Sequence, residues 1–163
     1  MSRPDEMFDK ITLEQGYRTG AIGQIAALHA EYYHAPWQFG LYFEAQVATG
    51  LGRFLRRYQE DRDGLWLVRE NHRIKGSLAI DALGADTRDG AHLRWFIVEA
   101  SLRGRGLGQK LLNQAIGFCR ERNYRKIYLW TFAGLDPARH LYEKAGFVLS
   151  RQQSGDRSGP EIP

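Results

Sequence analysis

Six residues, Arg103-Gly104-Arg105-Gly106-Leu107-Gly108, constrain this chain more than any others because of what flanks them. Before them runs Leu93-Arg94-Trp95-Phe96-Ile97-Val98, an apolar run of strand length. After them Leu107, Leu111, Leu112, Ala115, Ile116 and Cys119 fall on one stripe at helical spacing. Strand, glycine loop and helix in that order present free backbone N–H groups to an anion. The first turn of a helix has unpaired donors and a partial positive charge. Glycines let the backbone come close to the anion and take positive φ angles. With two arginines in the same loop, the expected ligand is a phosphate or pyrophosphate.

Two common glycine-loop patterns fail on spacing. A Walker loop needs Lys and then Ser or Thr after its last glycine, but Gln109 follows Gly108 and Leu111 follows Lys110. A dinucleotide fingerprint needs a third glycine where this chain has Gln109 or Leu111. The pattern that fits is Arg-x-x-Gly-x-Gly on Arg103, Gly106 and Gly108, five residues after Val98. It resembles the acyl-CoA loop of the GNAT N-acetyltransferase superfamily. Taken alone, the loop has a second reading, a surface turn that carries arginine by chance. A second stretch, Ala138-Arg139-His140-Leu141-Tyr142-Glu143-Lys144-Ala145-Gly146-Phe147, is similar to the family's A-x-x-L-Y-x-x-x-G-F signature and stands one helix and one strand downstream. Asp136 is a good N-cap there, Pro137 a good first helical residue, and Gly146 a good left-handed C′ residue, with Phe147 closing the end. An ordinary capped helix explains all of this except Tyr142. More narrowly, His92 to Val98 together with the loop resembles the acetyltransferase half of bacterial MarR–GNAT fusion proteins, which implies a bacterial source but no substrate.

The chain has 163 residues, enough for one domain with a full core. No apolar run approaches membrane-spanning length, and the opening Met-Ser-Arg-Pro-Asp-Glu has no secretory character, so a cytoplasmic protein is expected. The one cysteine, Cys119, lies on an apolar stripe and reads as a small core residue; no ligand spacing for a metal is visible. Charge is uneven. Residues 103–126 hold seven basic residues and one acid, a segment at +6 in a chain whose net charge is +4. That field suits a polyanion such as coenzyme A. Nucleic acid ranks well below it, because the charge clusters on the loop and its helix and no nucleic-acid motif is present.

The periodicities predict a first strand at 10–17, helices at 20–33 and 41–58, and a break at 34–40 marked by Pro36 and Gly40. A hairpin of 65–69 and 74–80 turns at Asn71-His72, and a turn at 86–90 leads into the strand that ends at Val98. A helix at 107–122, a strand at 126–131, a helix at 136–145 and a sixth strand at 147–152 follow. The order resembles the GNAT acyl-CoA N-acyltransferase fold, an α/β (α+β) class with a central mixed, mostly antiparallel sheet flanked by helices. Residues 1–9 are expected to be a loose leader, 10–152 the domain and 153–163 a mobile tail. The family's seventh strand is short or missing here, so either a neighbouring copy covers the edge in a homodimer or the edge stays exposed.

The resemblance implies acetyl transfer from acetyl-CoA, as co-substrate, to the amine of a small molecule or a peptide. In that scheme Phe96, Ile97, Val98, Arg103, Gly104, Arg105, Gly106, Leu107 and Gly108 hold the cofactor, and the loop takes its diphosphate. A strand bulge frees a backbone N–H, of Ile97 or Val98, for the thioester oxygen. Tyr142 occupies the family position of the acid that protonates the leaving thiolate; otherwise it is a packing residue. A base must take a proton from the amine. Glu31, His34, Glu44 and Glu99 are the candidates, with Glu44 preferred because its helix should line the acceptor side. Seven of the thirteen residues from 31 to 43 are His or aromatic. Either part of this cluster, Tyr33, Trp37 and Phe39, walls an acceptor pocket, or it packs two helices together. The competing function is a non-catalytic acetyl-CoA sensor of the same fold.

Overall fold

The computed structural model describes residues 10–37, 40–85, 90–129 and 139–146. The expected leader, the turn at 86–89, the helix start at 136–138, the sixth strand and the tail lie outside these residues. The elements are β1 (Ile11–Gln15), α1 (Ala21–Trp37), α2 (Leu41–Arg56), β2 (Gly64–Glu70), β3 (Arg73–Asp81), β4 (Ala91–Val98), a 3-10 turn at Ala100–Leu102, α3 (Leu107–Glu121), β5 (Ile127–Tyr128) and α4 (Arg139–Lys144).

The strands lie in the order β1-β2-β3-β4-β5. Neighbours from β1 to β4 are antiparallel, and β4 pairs β5 in parallel. Side chains alternate between two helical layers, as the two-residue strand period requires. On one face Trp66, Val68, Leu78, Ile80 and Leu93 pack with Leu107, Leu111, Leu112 and Ala115 of α3. On the other, Leu65, Leu67, Ala79, Trp95 and Ile97 pack with α1 and α2. The sheet buried on both faces explains the near-continuous apolar reading of β2. On α2 the buried residues are Phe43, Val47, Leu51 and Phe54, one stripe at helical spacing. Each contributes roughly 1.5–3 kcal/mol by leaving water.

The Asn71-His72 hairpin forms as expected, with Asn71 at φ 58°, a conformation asparagine tolerates. Three boundaries differ from the sequence reading. Helix α1 runs on to Trp37, through the first half of the expected break. Pro36 falls in its last turn, where the absent N–H costs one hydrogen bond to the preceding turn. Helix α2 ends at Arg56 rather than Tyr58, because the N–H groups of Arg57 and Tyr58 turn back to the carbonyls of Phe54 and Leu55. Within the described residues β5 has only two residues, because β4 leaves it beyond His92. No helix among the described residues is long and apolar enough to cross a membrane.

Candidate active site

The site is built where β4 stops behaving as a regular strand. Ser77 pairs with Ile97 and Ala79 with Arg94, so two steps along β3 span three along β4. The extra residue makes a bulge at Trp95, whose φ is 49°. An aromatic residue adopts that backbone only when its surroundings hold it there. Trp95 is 1% exposed, its ring lies 5.6 Å from that of Phe54, and the Arg94 guanidinium stacks on it at 4.0 Å. Its carbonyl accepts a 2.6 Å hydrogen bond from the buried Ser77 hydroxyl. Neither Ser77 nor the bulge position was legible in the sequence. The pair Gly76-Ser77, two small residues inside an apolar strand, was the available signal.

The bulge sets which backbone groups face outward. The Glu99 N–H donates to the Lys75 carbonyl at 2.8 Å, and Gly76 pairs with Val98. In an antiparallel ladder the hydrogen-bonded and non-bonded pairs alternate. Val98 therefore turns its N–H and C=O away from β3, whereas Ile97 turns its own toward β3. Of the two candidates for a freed N–H, the register selects Val98. The edge it faces is open among the described residues, since β4 and β5 pair only at Ala91–Ile127 and His92–Tyr128.

From Val98 the chain enters the 3-10 turn, pinned by the buried Leu102 and preceded by Glu99, whose carboxylate accepts from Ser101 Oγ at 2.7 Å. Glu99 also lies 3.7 Å from Lys75 Nζ. Gly104 and Gly106 follow at φ 83° and 76°. Both angles belong to the left-handed region, and nothing stands within 4 Å of a Cβ added at either position. Gly106 is the N-cap of α3, supplies no side-chain cap, and the first turn holds no acidic residue. The first helical hydrogen bond runs from Lys110 N–H to the Gly106 carbonyl at 3.1 Å. The N–H groups of Leu107, Gly108 and Gln109 therefore precede the helical ladder, at the positive end of a fifteen-residue helix.

The loop residues divide by what their side chains do. Leu107 is buried in the core, so only its backbone faces the loop. A Cβ at Gly108 would lie 3.0 Å from Leu141 Cδ1 and 3.6 Å from Phe96 Cζ, so this glycine also lets α3 pack closely on α4 and β4. Arg105 is exposed and makes no ion pair among the described residues. Arg103 turns back: its Nε–H donates to the Val98 carbonyl at 3.1 Å, and its guanidinium lies 5.0 Å from the Tyr32 ring centroid.

Tyr142 is 7% exposed and packs in the α3-side core, with its ring 5.7 Å from that of Phe96. It therefore sits beside the bulge rather than at the surface. Glu44 is exposed in the first turn of α2, and Glu31 is exposed on α1. Tyr33 packs between helices, 4.7 Å from Tyr32 and 5.2 Å from Phe43. That part of the aromatic cluster does join α1 to α2. Phe39 and the side chains of His34 and Trp37 lie outside the described residues.

The other end of β4 is occupied by a partly buried charge cluster. Arg57 forks onto Asp81 at 2.9 and 2.6 Å, and Arg94 reaches it at 3.2 Å. Burial works against the Asp81 carboxylate, but the Arg57 pair and the Arg94 charge outweigh it and hold its pKa below the usual value. His92, stacked on Tyr128 at 4.4 Å, is pushed down to about 3 by burial, with Arg94 adding to the effect. His29 is pushed down to about 4 by burial, and its Nδ1–H donates to the Ile25 carbonyl at 2.9 Å. Both imidazoles are neutral at pH 7. Burial also pushes the Cys119 thiol up to about 12, so it is an inert core group.

The sequence and the fold are similar to those of known proteins. An uncharacterized N-acetyltransferase of Methanocaldococcus jannaschii is 27% identical over 119 residues, covering 71% of this chain and 53% of that protein. An uncharacterized N-acetyltransferase of Escherichia coli is 31% identical over 90 residues, 55% of this chain and 54% of that protein. The chain thus spans about half the length of these curated relatives. The fold matches the crystal structure of a GCN5-related N-acetyltransferase from Ralstonia eutropha with a TM-score of 0.71 at 15% identity, over 89% of this chain and 97% of that one. Residues 22–147, from α1 through the whole of the loop and α4, match the family model. The chain belongs to the acetyltransferase (GNAT) family.

Proposed function

We propose that this protein is an acetyl-CoA-dependent N-acetyltransferase that moves an acetyl group to a primary amine by direct attack in a ternary complex. The observation that carries the reading is the adjacency of two open backbone features. The uncapped, acid-free N-terminus of α3 follows Gly104 and Gly106, and five residues before that loop opens, Val98 faces the free edge of β4. A diphosphate fits the first feature and a thioester carbonyl the second. A fold neighbour from Clostridium acetobutylicum, with a TM-score of 0.65 at 16% identity over 93% of this chain and 96% of that one, is described as a predicted acetyltransferase with acetyl-CoA.

In this mechanism the N–H groups from Gly104 to Gln109 hold the diphosphate, and Arg105 adds charge at the loop's surface. The Val98 N–H donates to the thioester oxygen as negative charge grows there during amine attack. Because that donor is fixed by the sheet, it needs no reorganisation in the transition state. A free amine is mostly protonated at pH 7 and must lose a proton before attack. Glu44, exposed on α2, takes that proton directly or through water. The Tyr142 hydroxyl protonates the departing thiolate. Its ring is held by Phe96, the residue next to the bulge, so the acid and the oxyanion donor are positioned by the same distortion of β4.

The acceptor is an amine on a small molecule or a peptide. The narrower likeness to MarR–GNAT fusion proteins adds no acceptor to this reading. The decisive experiment is release of free coenzyme A thiol from acetyl-CoA over a panel of amines, amino acids and peptide N-termini. Turnover with at least one amine supports the transferase. Tight acetyl-CoA binding with no turnover on any amine supports the sensor instead.

A further inference from the structure

We infer that Arg103 is a positioning residue, a strut joining the diphosphate loop to the α1–α2 layer, so that a ligand seated on the loop stiffens α1. The inference rests on the coenzyme A reading above and goes beyond it. It assigns Arg103 to holding the protein, and leaves phosphate contact to Arg105 and the backbone.

The geometry separates the two arginines. Arg103 has extended backbone, φ −71° and ψ 156°, immediately after the 3-10 turn. Its side chain leaves the loop toward the open edge of β4. There the in-plane Nε–H meets the Val98 carbonyl at 3.1 Å, while the flat face of the guanidinium lies 5.0 Å from the centre of Tyr32. Only a planar cation can use its edge and its face at once in this way; a lysine ammonium cannot. No carboxylate among the described residues pairs with Arg103 and pulls it elsewhere.

Beyond Tyr32 the contacts continue into the core. Tyr32 meets Tyr33 edge-on at 4.7 Å, and Tyr33 packs against Phe43 at 5.2 Å. Phe43 is 2% exposed and belongs to the buried face of α2. A contiguous sequence of rings thus runs from the loop to the inside of the α1–α2 layer. The other end of the strut is Val98, the residue whose N–H faces the open edge. A ligand that fixes residues 103–109 therefore also fixes Arg103, and through it both the strand end and α1. Coupling of this kind is carried by contiguous packed groups, and it needs a direct test.

The test is amide hydrogen exchange of the full chain with and without coenzyme A, in the wild type and in Tyr32→Leu, Tyr32→Phe and Arg103→Lys. In the wild type, coenzyme A should slow exchange in two segments, 98–110 and 28–33. In Tyr32→Leu the slowing at 98–110 should remain, while that at 28–33 should fall by about threefold, the scale of one exposed cation–π contact. Tyr32→Phe keeps the ring and should behave as wild type. Arg103→Lys should resemble Tyr32→Leu at 28–33. Equal slowing at 28–33 in wild type and Tyr32→Leu overturns the strut, as does slowing confined to 98–110 in the wild type. No slowing in either segment defeats the coenzyme A reading itself and the strut with it.

Discussion

The hydroxyl of Ser77 on β3 donates a 2.6 Å hydrogen bond to the carbonyl of Trp95, the one residue of β4 whose φ, 49°, has left the strand region. Both residues are buried, Ser77 completely. The bond satisfies a backbone carbonyl at the point where the ladder slips. Ser77→Ala should leave that carbonyl without its partner and cost about 1–3 kcal/mol, read from urea unfolding at pH 7. The same substitution should lower turnover more than acetyl-CoA affinity, because the bulge aims the Val98 N–H while the loop lies beyond it. An unchanged unfolding free energy would show that the bulge does not depend on this hydroxyl.

The two glycines of the Arg-x-x-Gly-x-Gly pattern should respond differently. Gly106 has φ 76° with open space around it, so Gly106→Ala meets backbone strain alone, about 1–2 kcal/mol. That strain should move the α3 N-terminus and weaken coenzyme A binding by calorimetry. Gly108 is the second residue of the helix, where alanine is favoured by less than the about 1 kcal/mol of an interior position. Its new Cβ would press on the terminal methyl of Leu141 at 3.0 Å, which offsets that gain. Gly108→Ala should therefore change stability by less than about 0.5 kcal/mol.

Tyr142→Phe keeps the ring that packs 5.7 Å from Phe96 and removes only the phenol. Steady-state kinetics should show kcat reduced about tenfold to a hundredfold, at or below the bottom of the usual range for a general acid, because a thiolate is a fair leaving group unaided. Acetyl-CoA binding measured by calorimetry should be unchanged. Full activity in this variant would reduce Tyr142 to a core residue.

Stability should fall in mild acid. His92 and His29 have folded pKa values pushed down to about 3 and about 4, below an unfolded value of 6.5. Below pH 6.5 the unfolded chain therefore binds protons that the folded chain refuses. Their full stability contribution is present above pH 6.5 and is lost as pH falls toward 4 and then 3. Each histidine contributes a slope of about 1.4 kcal/mol per pH unit inside its window. The urea midpoint should drop between pH 7 and pH 5. His92→Phe, which retains a flat ring against Tyr128, should show a smaller drop; an equal drop would place the proton uptake elsewhere.

Much of the fold was legible because its signals are local. The apolar stripe from Leu107 to Cys119 specifies α3 from side chains one turn apart, and Asn71 marks the hairpin by a backbone preference of its own. The loop was readable for the same reason, since Gly104 and Gly106 are needed where φ is positive. Helix α1 was misread at its end, because Pro36 suggests a stop that packing of Tyr32 and Tyr33 against Phe43 and Arg103 overrides. The choice between Ile97 and Val98 was out of reach, since it depends on cross-strand register.

By itself, then, the sequence determined the order of elements, the anion-ready turn before α3 and the family to be expected, all properties of residues that are neighbours along the chain. Tertiary structure alone decided that Trp95 bulges, that Val98 faces the open edge, and that Arg103 rests on Tyr32. Those outcomes are set by β3 meeting β4 and by the loop meeting α1. Contacts between distant segments depend on which competing packing leaves the fewest buried groups unpaired, and no short stretch of sequence carries that comparison.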